Sequence, residues 1–163
     1  MSTITTLAPL SGATIGTKQW KTGVQLLSNV ISFADALAAK GSALAADDII
    51  EAIRYPAGSL ILAAGLQVVT VDDATTLTVH VGITGVDVDG FVADFDHAAA
   101  AAGDWATSLF DTSEIHVIRT TADTIDLELQ TLTGTLTTGS CRVWALIADL
   151  TGEKQPGLAQ VRS

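Results

Sequence analysis

Four aspartates in one acidic stretch are the residues whose type and spacing come nearest to metal chemistry. They are Asp87, Asp89, Asp94 and Asp96. Carboxylates that converge on one point suit Ca²⁺, which takes six to eight oxygen ligands. The spacing departs from that of an EF-hand loop, because Gly90 comes too early and no glutamate closes the stretch. The alternative is a solvated loop whose aspartates bond nearby backbone amides, and we expect no bound metal or cofactor.

The other reactive residue types form no catalytic pattern. The three histidines, His80, His97 and His116, have no short metal-ligand spacing. Serine, histidine and aspartate are all present, but no GxSxG nucleophile elbow appears. The 18 acidic residues allow too many pairs for a glycosidase assignment to carry meaning. The single cysteine, Cys141, lies in an apolar run, so we interpret it as a core residue. We therefore predict a protein that is not an enzyme.

Aromatic residues offer a different kind of site, one that binds a partner. Trp105 follows Gly103 and Asp104 in a predicted loop, where a tryptophan stacks on a sugar ring or inserts into another protein. Trp105 is therefore a candidate partner-binding residue, and burial beneath its own loop is the alternative. We interpret Phe91 and Phe95 as anchors of the acidic stretch.

Composition excludes several classes of partner. The chain has 163 residues, of which 48% are hydrophobic and 16% charged, and its net charge is −10. This content argues against disorder and fits one domain with a substantial core. Eight scattered basic residues cannot neutralise a phosphate backbone, so we expect neither nucleic acid nor an anionic membrane as a partner. So few charges predict more apolar surface than a monomer can bury, and hence a homo-oligomer.

Two apolar runs joined by a turn form the centre of the predicted fold, between Asp48 and Val71. Residues in the first run alternate with a period of two, which is typical of a strand. Pro56 has no amide to donate and Gly58 accepts a positive φ, so we predict a turn there. The second run is almost wholly apolar, as in a strand buried on both faces. Gly65 interrupts it and predicts a bulge or bend.

Further strands are predicted on both sides of this pair. They are expected within residues 20–33, 75–84, 114–120, 124–132 and 141–150, where Trp144 is interpreted as core. In 124–132 the aliphatic residues are expected inward, and Asp126 and Glu128 outward. Residues 85–96 are predicted to be a loop, and 34–46 and 98–102 to hold short helical turns.

These patterns predict an all-β fold, an antiparallel, jelly-roll-like β-sandwich in residues 18–150. Residues 1–17 are expected to form an extended arm that packs on a neighbouring subunit, and 151–163 a flexible tail. The arm residues proposed to bind a partner are Thr5, Thr6, Leu7, Leu10 and Ile15. A frayed terminus is the alternative for the arm.

The central pair resembles a pattern seen in virion proteins of tailed bacteriophages. There, an apolar strand leads into a Pro-Ala-Gly turn, as at Tyr55–Gly58, and then into a second apolar strand. The likeness continues at residues 81–83, 87–91, 122–127 and 142–150, and covers roughly 47–150. It departs at the alanine run 98–102. The resemblance implies a capsid decoration (cement) or head-fibre protein, often a trimer, with a β-sandwich body.

Two functions follow as hypotheses. The first is a structural protein on the capsid surface, assembled in the host cytoplasm and bound to the major capsid protein and to copies of itself. The Thr-rich arm and apolar edges would supply its contacts. The second is a carbohydrate- or receptor-binding jelly roll of a phage fibre or tail. It would use Trp105 and the acidic stretch, whose carboxylates would bind Ca²⁺.

Overall fold

The computed structural model describes residues 3–5, 23–108 and 117–150, and within them it contains ten strands and one helix. The strands are β1 (Thr3–Thr5), β2 (Val24–Ser32), β3 (Asp48–Tyr55), β4 (Ser59–Thr70), β5 (Thr76–Ile83), β6 (Asp87–Asp96), β7 (Trp105–Ser108), β8 (Ile118–Arg119), β9 (Asp123–Thr133) and β10 (Ser140–Asp149). The helix α1 spans Phe33–Lys40. It is too short to cross a membrane, and no other helix occurs in the described residues.

The strands form two five-stranded sheets. The front sheet has the order β1-β3-β9-β5-β6, and the back sheet has the order β2-β10-β4-β7, with β8 also paired to β4. Strands from opposite ends of the chain pair with each other, β2 with β10 and β3 with β9, while β4 pairs with β7 and β5 with β6. All pairs are antiparallel except β1 with β3. This is a long hairpin rolled into a jelly roll, and the predicted all-β sandwich is confirmed.

Aliphatic residues at alternate positions of four strands build the core between the sheets. β5 and β9 of the front sheet bury every second residue, including Val79 and Leu127. From the back sheet, Leu66 on β4 and Val143 on β10 point into the same core, and both are fully buried. The turn between β3 and β4 forms at Pro56–Gly58, as predicted, with Gly58 at φ 84°.

Helical structure was predicted in two connections between strands, and it forms in only one of them. The helix predicted within residues 34–46 is α1, which begins one residue earlier, at Phe33. The Ser32 side chain accepts a hydrogen bond from the Asp35 amide at its start, and Gly41 ends it in the left-handed conformation. The helical turn predicted at 98–102 is wrong, because a bend at 98–99 is followed by irregular chain and then by a turn at 102–103. Local hydrogen bonds from alanine amides to the side chains of Asp96 and Asp104 replace helical ones there.

Residues 87–96 form a strand, so the prediction of a loop at 85–96 is wrong for all but its first two residues. Phe91 and Val92 are buried, and β6 pairs with β5 with two shifts of register, between Val79 and Val81 and between Val81 and Ile83. The interpretation of Phe91 and Phe95 as anchors is confirmed, because Phe91 is buried and Phe95 packs against the core.

Gly65 is a point of close approach and no bulge. The irregularities in the β4–β10 pairing lie elsewhere, at Ser140–Cys141 and Leu146–Ile147. A Cβ at position 65 would come within 2.4 Å of the Ala106 carbonyl oxygen and 2.9 Å of the Trp144 ring. Glycine is therefore needed where β4 passes between β7 and Trp144.

Candidate protein–protein interface

The back sheet presents an apolar outer face, because its strands alternate between the core and the outside. On β10 the residues Cys141 to Ile147 that point inward are fully buried, so their neighbours point outward. The register places these outward residues in rows across the sheet. We call the following set the apolar face: Val24, Leu26, Ser28, Val30, Leu60, Gly65, Gln67, Trp105, Thr107, Ile118, Arg142, Trp144, Leu146 and Ala148.

Several large side chains of the apolar face are open to solvent. Leu26 is 68% exposed, Trp105 62% and Ile118 54%, at positions that span the sheet from β2 to β7 and β8. Single exposed apolar residues are ordinary on protein surfaces, but a contiguous set on one sheet is typical of a surface that binds another protein.

Charge is nearly absent from the apolar face. Arg142 is its one charged member, and its guanidinium donates a hydrogen bond of 2.8 Å to the Gln67 side-chain oxygen. The acidic residues nearest in the chain, Asp104 and Asp149, lie just before β7 and at the end of β10. Few charges need to be desolvated when this face is covered, which favours a protein partner over a small polar ligand.

Two tryptophans belong to this face. The prediction of Trp144 as core is wrong, because it is a half-buried outward residue of β10 that covers Gly65. Trp105 lies on β7 and not in a loop, and the alternative of burial is wrong. The structure thus brings Trp105 onto the surface that suits a partner, although its binding stays a prediction.

The predicted arm residues are placed only in part. Thr3–Thr5 forms β1, where Thr5 pairs with Glu51, and Ile4 is buried in the core. The first residues of the predicted arm therefore complete the front sheet of this same chain. The other arm candidates, Thr6, Leu7, Leu10 and Ile15, lie outside the described residues, and so does the tail at 151–163.

The four aspartates of the acidic stretch do not converge. Asp87 and Asp96 stand at opposite ends of β6, Asp89 is exposed, and Asp94 lies 3.1 Å from the Nε2 atom of His80. Within the described parts of the chain, no three side chains of His, Cys, Asp or Glu are grouped as a metal site requires. Asp96 instead bonds a backbone amide, as in the alternative interpretation.

Buried polar contacts join strands of the front sheet. Asp126 and Glu128 alternate with the core residues of β9, as predicted, but both are nearly inaccessible to solvent, which the sequence pattern does not indicate. His80 is held between carboxylates, with its Nδ1 atom 3.2 Å from Glu128 and its Nε2 atom near Asp94. These contacts join β5, β6 and β9.

His97 and Cys141 are two further titratable residues of the core. His97 is fully buried, 2.6 Å from Asp72, and its ring packs edge-on against Phe33. Burial raises the pKa of the Cys141 thiol to about 12, so it stays protonated and unreactive at neutral pH. The interpretation of Cys141 as a core residue is confirmed.

The comparisons with known proteins concern the fold. No protein-family model matches the chain, and no curated protein sequence matches it significantly. The structure resembles a chain of the "Cyanophage Pam1 capsid asymmetric unit", with 16% identity and a TM-score of 0.54, over 78% of this chain and 86% of that one. It also resembles a chain of the "Capsid of Ralstonia phage GP4", with 19% identity and a TM-score of 0.57, over 78% of this chain and 84% of that one. At these identities the comparisons show that the three chains share a fold.

Proposed function

We propose that this chain is a non-enzymatic structural protein of a bacteriophage capsid. The observation that carries the proposal is the apolar face, an exposed surface with a single charged residue, on a sandwich whose described residues group no side chains as a metal site requires. Two chains of similar fold come from phage capsids, which supports the same setting for this one.

In its finer form the proposal is a decoration, or cement, protein on the outside of the capsid. Its partners are the major capsid protein and copies of itself, as a trimer according to the sequence resemblance, and it is assembled in the host cytoplasm. The mechanism is mechanical, because a stiff sandwich that spans a joint between capsid subunits resists their separation. A standard interface of about 1,600 Å² gives a gross burial energy of about 40 kcal/mol, most of which association costs offset. Repetition over the shell multiplies the remainder.

The copy number of the chain in purified particles tests this proposal. Particles of the phage that encodes the chain are purified by density gradient, and peptides of this chain are counted by mass spectrometry against those of the major capsid protein. Shell decoration predicts copies on the order of hundreds, because the sites repeat with the shell. Tens of copies would indicate a tail or fibre, and absence from the particles would refute the virion role.

A carbohydrate-binding role is the second candidate, and the exposure of Trp105 favours it. Trp105 pairs across the sheet with Gln67, which in turn accepts a hydrogen bond from Arg142. An aromatic ring beside amide and guanidinium groups is a usual setting for a sugar. A glycan array with the wild type and Trp105→Ala separates the two roles, because only the carbohydrate role predicts binding that the substitution abolishes.

A further inference from the structure

We propose that the apolar face of the back sheet binds a second copy of this chain. The inference rests on the proposed function for its setting in the virion and deepens it by naming which partner covers this face. It assigns the back sheet to contacts between copies, so that attachment to the capsid uses other surfaces.

Charge is the first argument for a second copy. The chain carries 18 acidic residues against eight basic ones, so two copies repel each other wherever their acidic surfaces meet. None of the acidic residues belongs to the apolar face, and β2, at its border, has no charged residue at all. Two copies that meet through this face bring no carboxylates together, whereas a strongly basic partner would find nothing there to pair with.

Area is the second argument. Four strands about 4.8 Å apart, with a length of about 30 Å along β2, give the apolar face a flat extent of roughly 600 Å². A stable interface buries about 800 Å² on each partner. The projecting side chains of Leu26 and Trp105 make the accessible area of the face larger than its flat extent. The face is therefore large enough to form most of an interface between two copies.

Rigidity is the third argument. β10 and β4 are hydrogen-bonded on both sides, and their inward residues are fixed in the core. The Trp144 ring lies over Gly65, in contact with β4. A face whose backbone is already ordered loses little conformational entropy on association, and tryptophan is a frequent hot spot of interfaces.

A matched pair of charge substitutions tests the assignment. Leu26→Asp places a carboxylate at the 68% exposed position in the apolar face, and Val86→Asp places one at a 58% exposed position in the turn before β6. Mass is measured by light scattering and sedimentation across concentration, against 16.8 kDa for one chain. We expect the wild type and Val86→Asp to self-associate at tens of micromolar, and Leu26→Asp to associate about 100-fold more weakly.

Labelling of single cysteines gives a second readout that does not depend on a loss of association. Cys141 is fully buried, so a maleimide reports only an added cysteine. Ser28→Cys, in the middle of the exposed side of β2, should react more slowly at high protein concentration than at low concentration. Val86→Cys should react at the same rate at both.

The outcomes separate this inference from the proposed function. A wild type that stays monomeric at tens of micromolar, or a Leu26→Asp variant that associates as well as Val86→Asp, overturns the assignment of the apolar face. Equal labelling of Ser28→Cys at both concentrations overturns it as well. The copy number in particles stands apart, because the chain can decorate a capsid through another surface even if its copies never meet through this one.

Discussion

A single methyl group at Gly65 should loosen the apolar face, and this prediction follows most directly from the packing of the back sheet. Gly65→Ala adds a Cβ at a point 2.4 Å from the Ala106 carbonyl oxygen and 3.0 Å from the Thr107 Cα atom, both on β7. Backbone atoms cannot rotate away as a side chain does. The substitution must therefore push β7 from β4 by about 1 Å, because ordinary contacts begin near 3.4 Å.

The magnitude follows from what holds β7 in place. Four residue pairs join β7 to β4, and the Thr107 hydroxyl donates a hydrogen bond of 3.0 Å to the Ala64 carbonyl. Strain of this kind costs about 1–3 kcal/mol, and loss of two or three hydrogen bonds would cost a similar amount at about 1 kcal/mol each. Alanine recovers about 0.5–1 kcal/mol of chain entropy relative to glycine. We expect a net loss of about 1–2 kcal/mol in the free energy of unfolding.

Thermal and chemical unfolding measure this loss. For a domain of this size, 1 kcal/mol lowers the melting temperature by about 2–4 °C. The control is Gly23→Ala, at a site just before β2 where an added Cβ meets no atom within 4 Å. It should leave the melting temperature unchanged or slightly raised. A Gly65→Ala variant as stable as Gly23→Ala would refute the close approach of β7 and β4.

Three further predictions concern titratable residues. His80→Ala leaves the buried Glu128 without its histidine partner and should cost about 3 kcal/mol in denaturant unfolding, whereas Asp94→Ala, at an exposed position, should cost under about 0.5 kcal/mol; equal losses would contradict this account. Hydrogen bonds from the threonine hydroxyl and amides that face Asp73 lower its pKa below 3.8, so its contribution is present above that pH and is lost on acidification. The stability difference between wild type and Asp73→Asn should shrink as the pH falls below 4, and a difference constant with pH would contradict it. Burial raises the pKa of Cys141 to about 12, so between pH 9 and 12 the thiol ionises in the unfolded chain but not in the folded one. Wild type should therefore lose more stability than Cys141→Ala between pH 9 and 12. Equal losses of stability in the two proteins would contradict this prediction.

Strands in which apolar and polar residues alternate could be predicted from the sequence. In β5 and β9 every second residue is aliphatic, and both strands bury those residues as expected. The turn at Pro56–Gly58 is likewise local, because it depends on a missing amide and a positive φ. The strand β6 was missed because its aspartates and glycine have low strand propensity. Its pairing with β5 is decided by the burial of Phe91 and Val92, which depends on the rest of the fold.

The candidate interface could not be predicted as a surface. In β2 both alternating sets are rich in apolar residues, so the pattern cannot tell which set faces the core, and Leu26 is distinguished only by its register with Leu146. On β9, Asp126 and Glu128 alternate with aliphatic residues as surface residues do, so the pattern does not indicate that they are buried. Their burial depends on residues of other strands, such as His80, and the sequence pattern of one strand does not show which residues of other strands lie next to it.

A reconstruction of the purified particles by electron cryomicroscopy, at a resolution that separates strands, is the most direct test of the account. The account predicts a two-sheet jelly roll of this chain repeated over the outside of the capsid, with the back sheet of each copy against a neighbouring copy. A particle without this density, or one in which Leu26 and Trp105 of every copy face open solvent, would contradict it.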